Sequence, residues 1–462
     1  MTVNEKKTST IDEQIINDLS ESDEGYNNLI TLCDIIGCRF AGTPGERRAA
    51  DYIHAKFKEY CLTAVSTESV HFKRWLSGDA SLKVISPIER IFLNVAAFGC
   101  SASTSPEGIK GEIISVADGF EEDYESRVGA IKDRIALATA KFGIGQRRNP
   151  ITKQDKYRMA ESNGAKAFIL MNDLPGQLVP LGGAEVVDDG TIPGVCISKE
   201  DGEFLRRLAC RGPVEIDLHV ETRVAENTSL NIVGEIEGSD PGRLIILGAH
   251  YDGWDIGALN NAVGTCVMME VARVLARYAG QPRCNIRFVA FAAEVLGLEG
   301  SRSYVKKHND ELARIELMLN VDGGPGRPGR KSYDGAGFEG LVQYVNNVAK
   351  EINADFNATD DLGFWNADKL PFFLRGIPCT TINGPRSPYV HTTADTVDKI
   401  DLADMRRDAA DIARLVLRVA NEEGPVNRHL TNDEVTIVLE SEGLTEAIRR
   451  TYGRDLRMTE SQ

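Results

Sequence analysis

Between Arg243 and Asn383 the chain alternates short, unbroken apolar runs with longer stretches whose apolar positions return every three or four residues. The runs LIILGAH, NIRFVAFAA, LMLNV and PCTTIN are of strand length, and VMMEVARVLARYA has the clearest helical spacing. A run that is apolar on every residue suits a strand covered on both faces, so residues 229–422 are predicted to form a largely parallel α/β sheet. Upstream, IDEQIINDLSESDEGYNNLITLCDIIG has helical spacing, and Gly42, Pro44 and Gly45 mark a turn before a second helix at AADYIHAKFKEY. From Ser77 to Thr228 the character changes to short β-like runs, among them GEIISVAD, RIALATAK, GAKAFILMND and GVCISKEDGEFL. TNDEVTIVLESEGLTEAIRRTYGRDL reads as a helical tail. The expected organisation is an N-terminal helical part of one domain (1–76), an inserted, mostly β domain (77–228), and the α/β domain with its tail (229–462).

Polar residues with chemistry sit where the runs stop. His250 and Asp252 close the first, Glu294 the second and Asp322 the third, while His391 follows the fourth. An open α/β sheet assembles a site in this way, in the crevice beyond its strand ends. By itself an HxD pair is better explained by a hydrogen-bonded strand end; here Glu294, Asp322 and His391 follow in order at further strand ends. Glu294, after FVAFAA, is costly to bury without a role or a partner.

The chain resembles the M28 family of zinc aminopeptidases and carboxypeptidases over nearly its whole length. The likeness rests on AHYD (His250, Asp252), the turn GALNNAVG, AEVLGLEGS, NVDGG (Asp322) and HTTADT (His391). It implies a three-layer α/β/α sandwich with a mixed, largely parallel sheet. It places His250, Asp322 and His391 on metal-ligand positions, Asp252 beside the first histidine and Glu294 as general base. It also identifies residues 77–228 as a protease-associated insert, with NGAKAFILMND and TIPGVCISKEDGEFL as the closest cues. Two positions depart from the family pattern: the bridging aspartate is Asn260, and the second ligating glutamate is Val295.

Those departures change the expected chemistry. A bridging carboxylate offers two anionic oxygens to a pair of dications, an amide offers one weak neutral donor, and valine offers none. At most one tightly held divalent metal is therefore expected, at His250, Asp322 and His391 with Asn260 nearby: Zn²⁺ first, Fe²⁺ or Mn²⁺ as alternatives, a metal-free site remaining open. The resemblance favours a hydrolase of a peptide or amino-acid-derived amide, with Glu294 and Asp252 as the catalytic pair. A repurposed site doing elimination or cyclisation on an amino-acid derivative, and an inactive binding homologue, are the alternatives. FNATDDLGFWNADKLPFFLRGIP resembles the family's pocket-lining S-D-H-x-P-F segment, with Asp368 at its acidic position. Trp254, Phe364, Trp365, Phe372 and Tyr389 are candidate apolar walls, and Lys369, Arg375 and Arg386 candidate anchors for a substrate carboxylate.

Composition adds outer bounds. At 462 residues, 42% hydrophobic and 26% charged, the sequence reads as a globular protein of more than one core. A formal charge of −16 argues against nucleic acid or an anionic membrane as partner. The polar start MTVNEKKTSTIDEQ, with no apolar signal core, and nine cysteines without CxxC pairs point to a cytoplasmic protein with reduced thiols. His54, His71, His219, His308 and His429 lack companion ligands and read as surface residues. A homo-oligomer is left open.

Overall fold

The computed structural model describes residues 3–92, 94–144, 150–183, 192–363 and 365–452. Its central sheet runs, from one edge inward, through Phe356–Thr359, Lys331–Asp334, Cys379–Asn383, Ile315–Asn320, Asp240–His250, Cys284–Phe291 and Glu215–Ile236. The strands Cys379–Asn383, Ile315–Asn320, Asp240–His250 and Cys284–Phe291 are mutually parallel; Lys331–Asp334 is antiparallel to Cys379–Asn383 but parallel to Phe356–Thr359, and Glu215–Ile236 is antiparallel to its neighbours. The apolar runs account for this. Leu244–Leu247, Phe288–Phe291 and Leu317–Leu319 are fully buried, so each strand packs on both faces. The helix Val263–Tyr278 packs against Leu402–Asn421 and the N-terminal helices, and Asp401 caps the second of these through the backbone N–H of Asp404. The expected α/β/α layering and mixed, largely parallel sheet are thus present.

Thr63–Ser86 and Glu215–Ile236 form a long antiparallel ribbon that leaves the central sheet and enters the insert, where Glu215–Leu218 pair with Ile109–Glu112. The limits at 77 and 228 fall inside these strands. Within the insert, Ile109–Ser115, Ile135–Thr139, Ala167–Met171 and Gly194–Ile197 are parallel, with the short Ala96–Ala97 antiparallel at the edge. The insert also contains helices at Lys153–Ser162 and Lys199–Ala209, so GVCISKEDGEFL is a strand followed by a helix rather than one β-like run. Ser198 makes the switch, accepting from the Asp201 N–H as N-cap.

Arg39 ties the N-terminal segment to the sheet. It is fully buried and donates to the carbonyls of Leu32, Gly37, Tyr251, Ile256 and Gly257. Methionine in its place leaves those acceptors bare, three of them (Tyr251, Ile256 and Gly257) in the loop that carries Asp252 and Trp254. Arg39→Met is expected to lower unfolding stability by about 3 kcal/mol, read by urea denaturation. A loss below about 1 kcal/mol would show that the loop holds without it.

Candidate active site

The ends of three strands converge on one point. His250, at the end of its strand, is held by its own neighbourhood: Nδ1 lies 3.1 Å from the Asp252 carbonyl and 3.4 Å from the Asp252 carboxylate. That carboxylate also accepts the backbone N–H groups of Glu294 (3.1 Å) and Val295 (3.2 Å), so one buried aspartate orients the imidazole and fixes the turn that presents Glu294. The turn is entered through Ala293 in the left-handed region (φ 52°), a conformation that persists in a non-glycine residue only where its surroundings enforce it.

The other imidazole nitrogen faces acids. His250 Nε2 stands 3.7 Å from Asp322 Oδ2 and 3.8 Å from Glu294 Oε2. His250, Glu294 and Asp322 each offer a ligand atom within 4.8 Å of the others. His250 and Asp322 are fully buried, and His250 Nε2 and Asp322 Oδ2 have no hydrogen-bond partner. Burial pushes the Glu294 carboxyl well above the usual range, with His250 offsetting it in part. Burial alone would lower His250; attraction to Glu294, Asp252 and Asp322 outweighs it and raises the imidazolium well above its ordinary range. Asp368, also fully buried, is pushed up to about 7 by burial. Asp252, Glu294, Asp322 and Asp368 thus surround a single imidazole, and unpartnered ligand atoms amid surplus negative charge are what a divalent cation satisfies. The residues fit such an ion.

His391 stands apart from that group. Its Nε2 donates to Asn260 Oδ1 (2.8 Å), and Asn260 Nδ2 donates to Asp322 Oδ1 (3.2 Å), a chain that requires the proton on His391 Nε2. Burial, reinforced by Lys153, lowers the His391 imidazolium to about 3, so the ring is a neutral donor. The expected ligand set is therefore divided: His250 and Asp322 come together with Glu294, while His391 and Asn260 satisfy each other. Val295 presents a methyl-bearing side chain to the same cleft, with no ligand atom.

The cleft, about 610 Å³, opens between the α/β domain and the insert. Trp254, Trp365 and Arg386 line it as anticipated. Trp254 packs on Phe40 and Trp75 at centroid distances of 4.8 and 6.3 Å, and Gly182 of the insert, at φ +85°, lies against its indole. Other expected pocket residues lie elsewhere. Lys369 is 2% exposed, ion-paired with buried Asp334 and bonded to the Leu362 carbonyl, so its charge is consumed inside the fold. Asp368 lies beneath the site rather than in the cleft wall. Phe372 is core, against Phe291 and Tyr304, and Arg375 bonds Asn309. Tyr389 stacks under Lys399, 4.9 Å from its ring centroid, and is not part of the lining, whereas its neighbour Val390 is. Phe364 lies outside the described residues. Of the remaining histidines, expected at the surface, His71 is exposed and His54, His219, His308 and His429 are half-buried: His308 bonds Glu68 and stacks on Tyr304, and His429 bonds the Ile315 carbonyl.

Three positions escaped the sequence reading. Asp395, in HTTADT, accepts the Leu259 N–H (2.6 Å) and so holds the turn carrying Asn260. The insert reaches the site directly: Leu181 N–H donates to the His391 carbonyl (2.7 Å), Thr393 N–H to that of Val179, and Lys153 lines the cleft. Arg327, after Asp322 in NVDGGPGR, lines it from the opposite domain. A signal existed only for Asp395, which shares a motif with His391; Lys153 and Arg327 are brought in by the packing of the two domains.

Comparison with known proteins agrees with this fold. Residues 231–416 match the model of peptidase family M28 and residues 92–205 that of the PA domain. Aminopeptidase YwaD of Bacillus subtilis (strain 168) is 29% identical over 425 residues, 86% of this chain and 85% of its own. Carboxypeptidase Q of Mus musculus is 26% identical over 418 residues, with the same 86% and 85% coverage. Among solved structures, a peptidase M28 precursor from Shewanella amazonensis SB2B superposes with a TM-score of 0.79 at 24% identity, over 92% of this chain and 99% of that one. BSAP, a zinc aminopeptidase from Bacillus subtilis, gives 0.68 at 26% identity, over 89% and 98%. With matched models for both of its domains and relatives that align along most of its length, the chain carries a peptidase family M28 domain over residues 231–416 and an inserted PA domain over residues 92–205.

Proposed function

We propose that this M28 peptidase hydrolyses the amide bond of a small peptide or amino-acid derivative using one divalent cation, zinc, held by His250 and Asp322 beside Glu294. The observation that carries the reading is the pair of buried, unpartnered ligand atoms, His250 Nε2 and Asp322 Oδ2, next to a carboxylate that faces the cleft. Bound there, the ion supplies Lewis-acid polarisation of a carbonyl and a more acidic water. Glu294 takes a proton from the attacking water and delivers it to the leaving nitrogen. Burial makes it hold an accepted proton more firmly than an ordinary carboxylate does. Asp252 keeps the imidazole and the Glu294 turn in register, and Trp254 and Trp365 confine the substrate. Non-hydrolytic chemistry on an amino-acid derivative is the second reading, favoured by the way Asn260 and His391 bond to each other where ligands of a second ion belong.

Elemental analysis of protein purified without chelator is expected to return one ion per chain. His250→Ala should remove most of it, and His391→Gln, whose ring is already engaged by Asn260, should leave it in place. Two tightly bound ions, or an ion lost with His391, would overturn the single-ion assignment.

A further inference from the structure

Arg327 is a buried charge for which neither the fold nor the proposed hydrolysis has a use. It is only 9% exposed, its Nε has no partner, and it makes a single long bond, from Nη2 to the Leu259 carbonyl at 3.4 Å. It forms no ion pair among the described residues. The acids that act on it are Asp322 and Asp395, the first bonded to Asn260 and beside His250, the second holding the Leu259 N–H. A guanidinium shut away from water without a carboxylate is strongly unfavourable, unless an anion arrives to complete it.

Its surroundings point to that anion. Arg327, Lys153 and Arg386 all line the cleft, and among the described residues Glu294 is the one carboxylate-bearing residue of that lining. Among the described residues the lining thus carries three basic side chains against one acid, in a chain of net charge −16. Lys153 comes from the insert, with Nζ 3.0 Å from the Leu181 carbonyl; the Arg386 guanidinium lies 6.0 Å from the Phe142 ring centroid at the mouth. The bond to Leu259 sets Arg327 beside the turn in which a carboxylate position has become Asn260. With Val295 neutral as well, that side of the pocket lacks the acids a second cation requires and holds a fixed guanidinium instead.

We infer that Arg327, with Lys153 and Arg386, binds a carboxylate of the substrate, so that the molecule this cleft takes is an amide bearing a free carboxylate, of dipeptide or N-acyl-amino-acid size. The size follows from a cavity of about 610 Å³ and the apolar preference from Trp254 and Trp365 on its walls. That the ligand is an amide rests on the hydrolase reading; that it is an anion does not.

The test is a binding titration of the metal-loaded protein, followed by tryptophan fluorescence, with N-acetyl-L-phenylalanine and N-acetyl-L-phenylalaninamide, which differ in the carboxylate. The parent is expected to bind the acid about tenfold or more tightly than the amide. Arg327→Gln should bring the two within about twofold without lowering the melting temperature, since it removes an unpaired buried charge. Arg386→Gln, at an exposed position where folding is not at stake, should lose part of the preference. Equal affinity of the parent for both probes overturns the inference. So does an undiminished preference in Arg327→Gln, or a lowered melting temperature with the preference intact, which would mark Arg327 as structural. If the acid is preferred through Arg327 but no amide is ever cleaved, the anion site stands and the hydrolase reading falls. Cleavage of neutral amides without any anion preference gives the reverse.

Discussion

Glu294→Gln is expected to lower turnover of the native amide by about 10²–10⁴-fold, with the fold and metal content unchanged. The carboxylate stands 3.8 Å from His250 Nε2 and faces the cleft, where the attacking water must lose its proton. Glutamine keeps the volume and the backbone bonds to Asp252 but accepts no proton. Because Glu294 lies within ligand reach of His250 and Asp322, the same variant separates two roles. Activity lost with the ion retained identifies a base, whereas activity and ion lost together identify a ligand. Turnover within a few-fold of the parent would remove Glu294 from the chemistry. Alanine is a poorer probe, since it opens a cavity beside a buried cluster.

Rebuilding both departures, Asn260→Asp with Val295→Glu, should bring a second ion into the site and raise the count from one to two per chain. The geometry makes the effect large. Asn260 Nδ2 now donates to Asp322 Oδ1 at 3.2 Å, and aspartate there sets two carboxylates at that separation inside a region that already contains Asp252, Glu294 and Asp368. Only a cation or a proton relieves the repulsion. Chelated protein should therefore melt several degrees below the chelated parent and recover with excess zinc, since an ion at 100 times its Kd contributes about 2.7 kcal/mol. If hydrolysis is the native reaction, cleavage of simple aminoacyl anilides should be preserved or rise in the double variant. If the site has been repurposed, the anilides stay inert and the native activity falls. A count that remains at one, with no metal-dependent change in melting, would show that Asn260 and Val295 are not what excludes the second ion.

Much of this site was legible in the order of residues along the chain. His250, Asp252, Glu294 and Asp322 each end an apolar run, and a run that must be buried on both faces can become only a central strand, which carries its terminal polar residue to the sheet's edge crevice. The two departures were equally plain, because Asn260 and Val295 change the number of donor atoms whatever the surroundings. Strand interiors and the parallel order follow from the same local rule.

What no local rule contains is where separate segments meet. Lys369, a carboxylate anchor by its position in WNADKLPFF, is neutralised by Asp334, at the end of the strand Lys331–Asp334, and Asp368 is drawn beneath the site instead of into its wall. His391 reads as a ligand by motif, yet its nitrogen is taken by Asn260, and its loop is held by backbone bonds from the insert at Val179 and Leu181. Lys153 and Arg327 lie 174 positions apart, and only domain packing puts both on one cleft. The sequence by itself determined the sheet, the chemical groups at its strand ends and the loss of two carboxylates, since those depend on burial pattern and on atom types. The tertiary structure alone decided which groups are satisfied by one another and which are left facing the cavity, because hydrogen bonds and charges pair by distance in space, which the chain order does not encode.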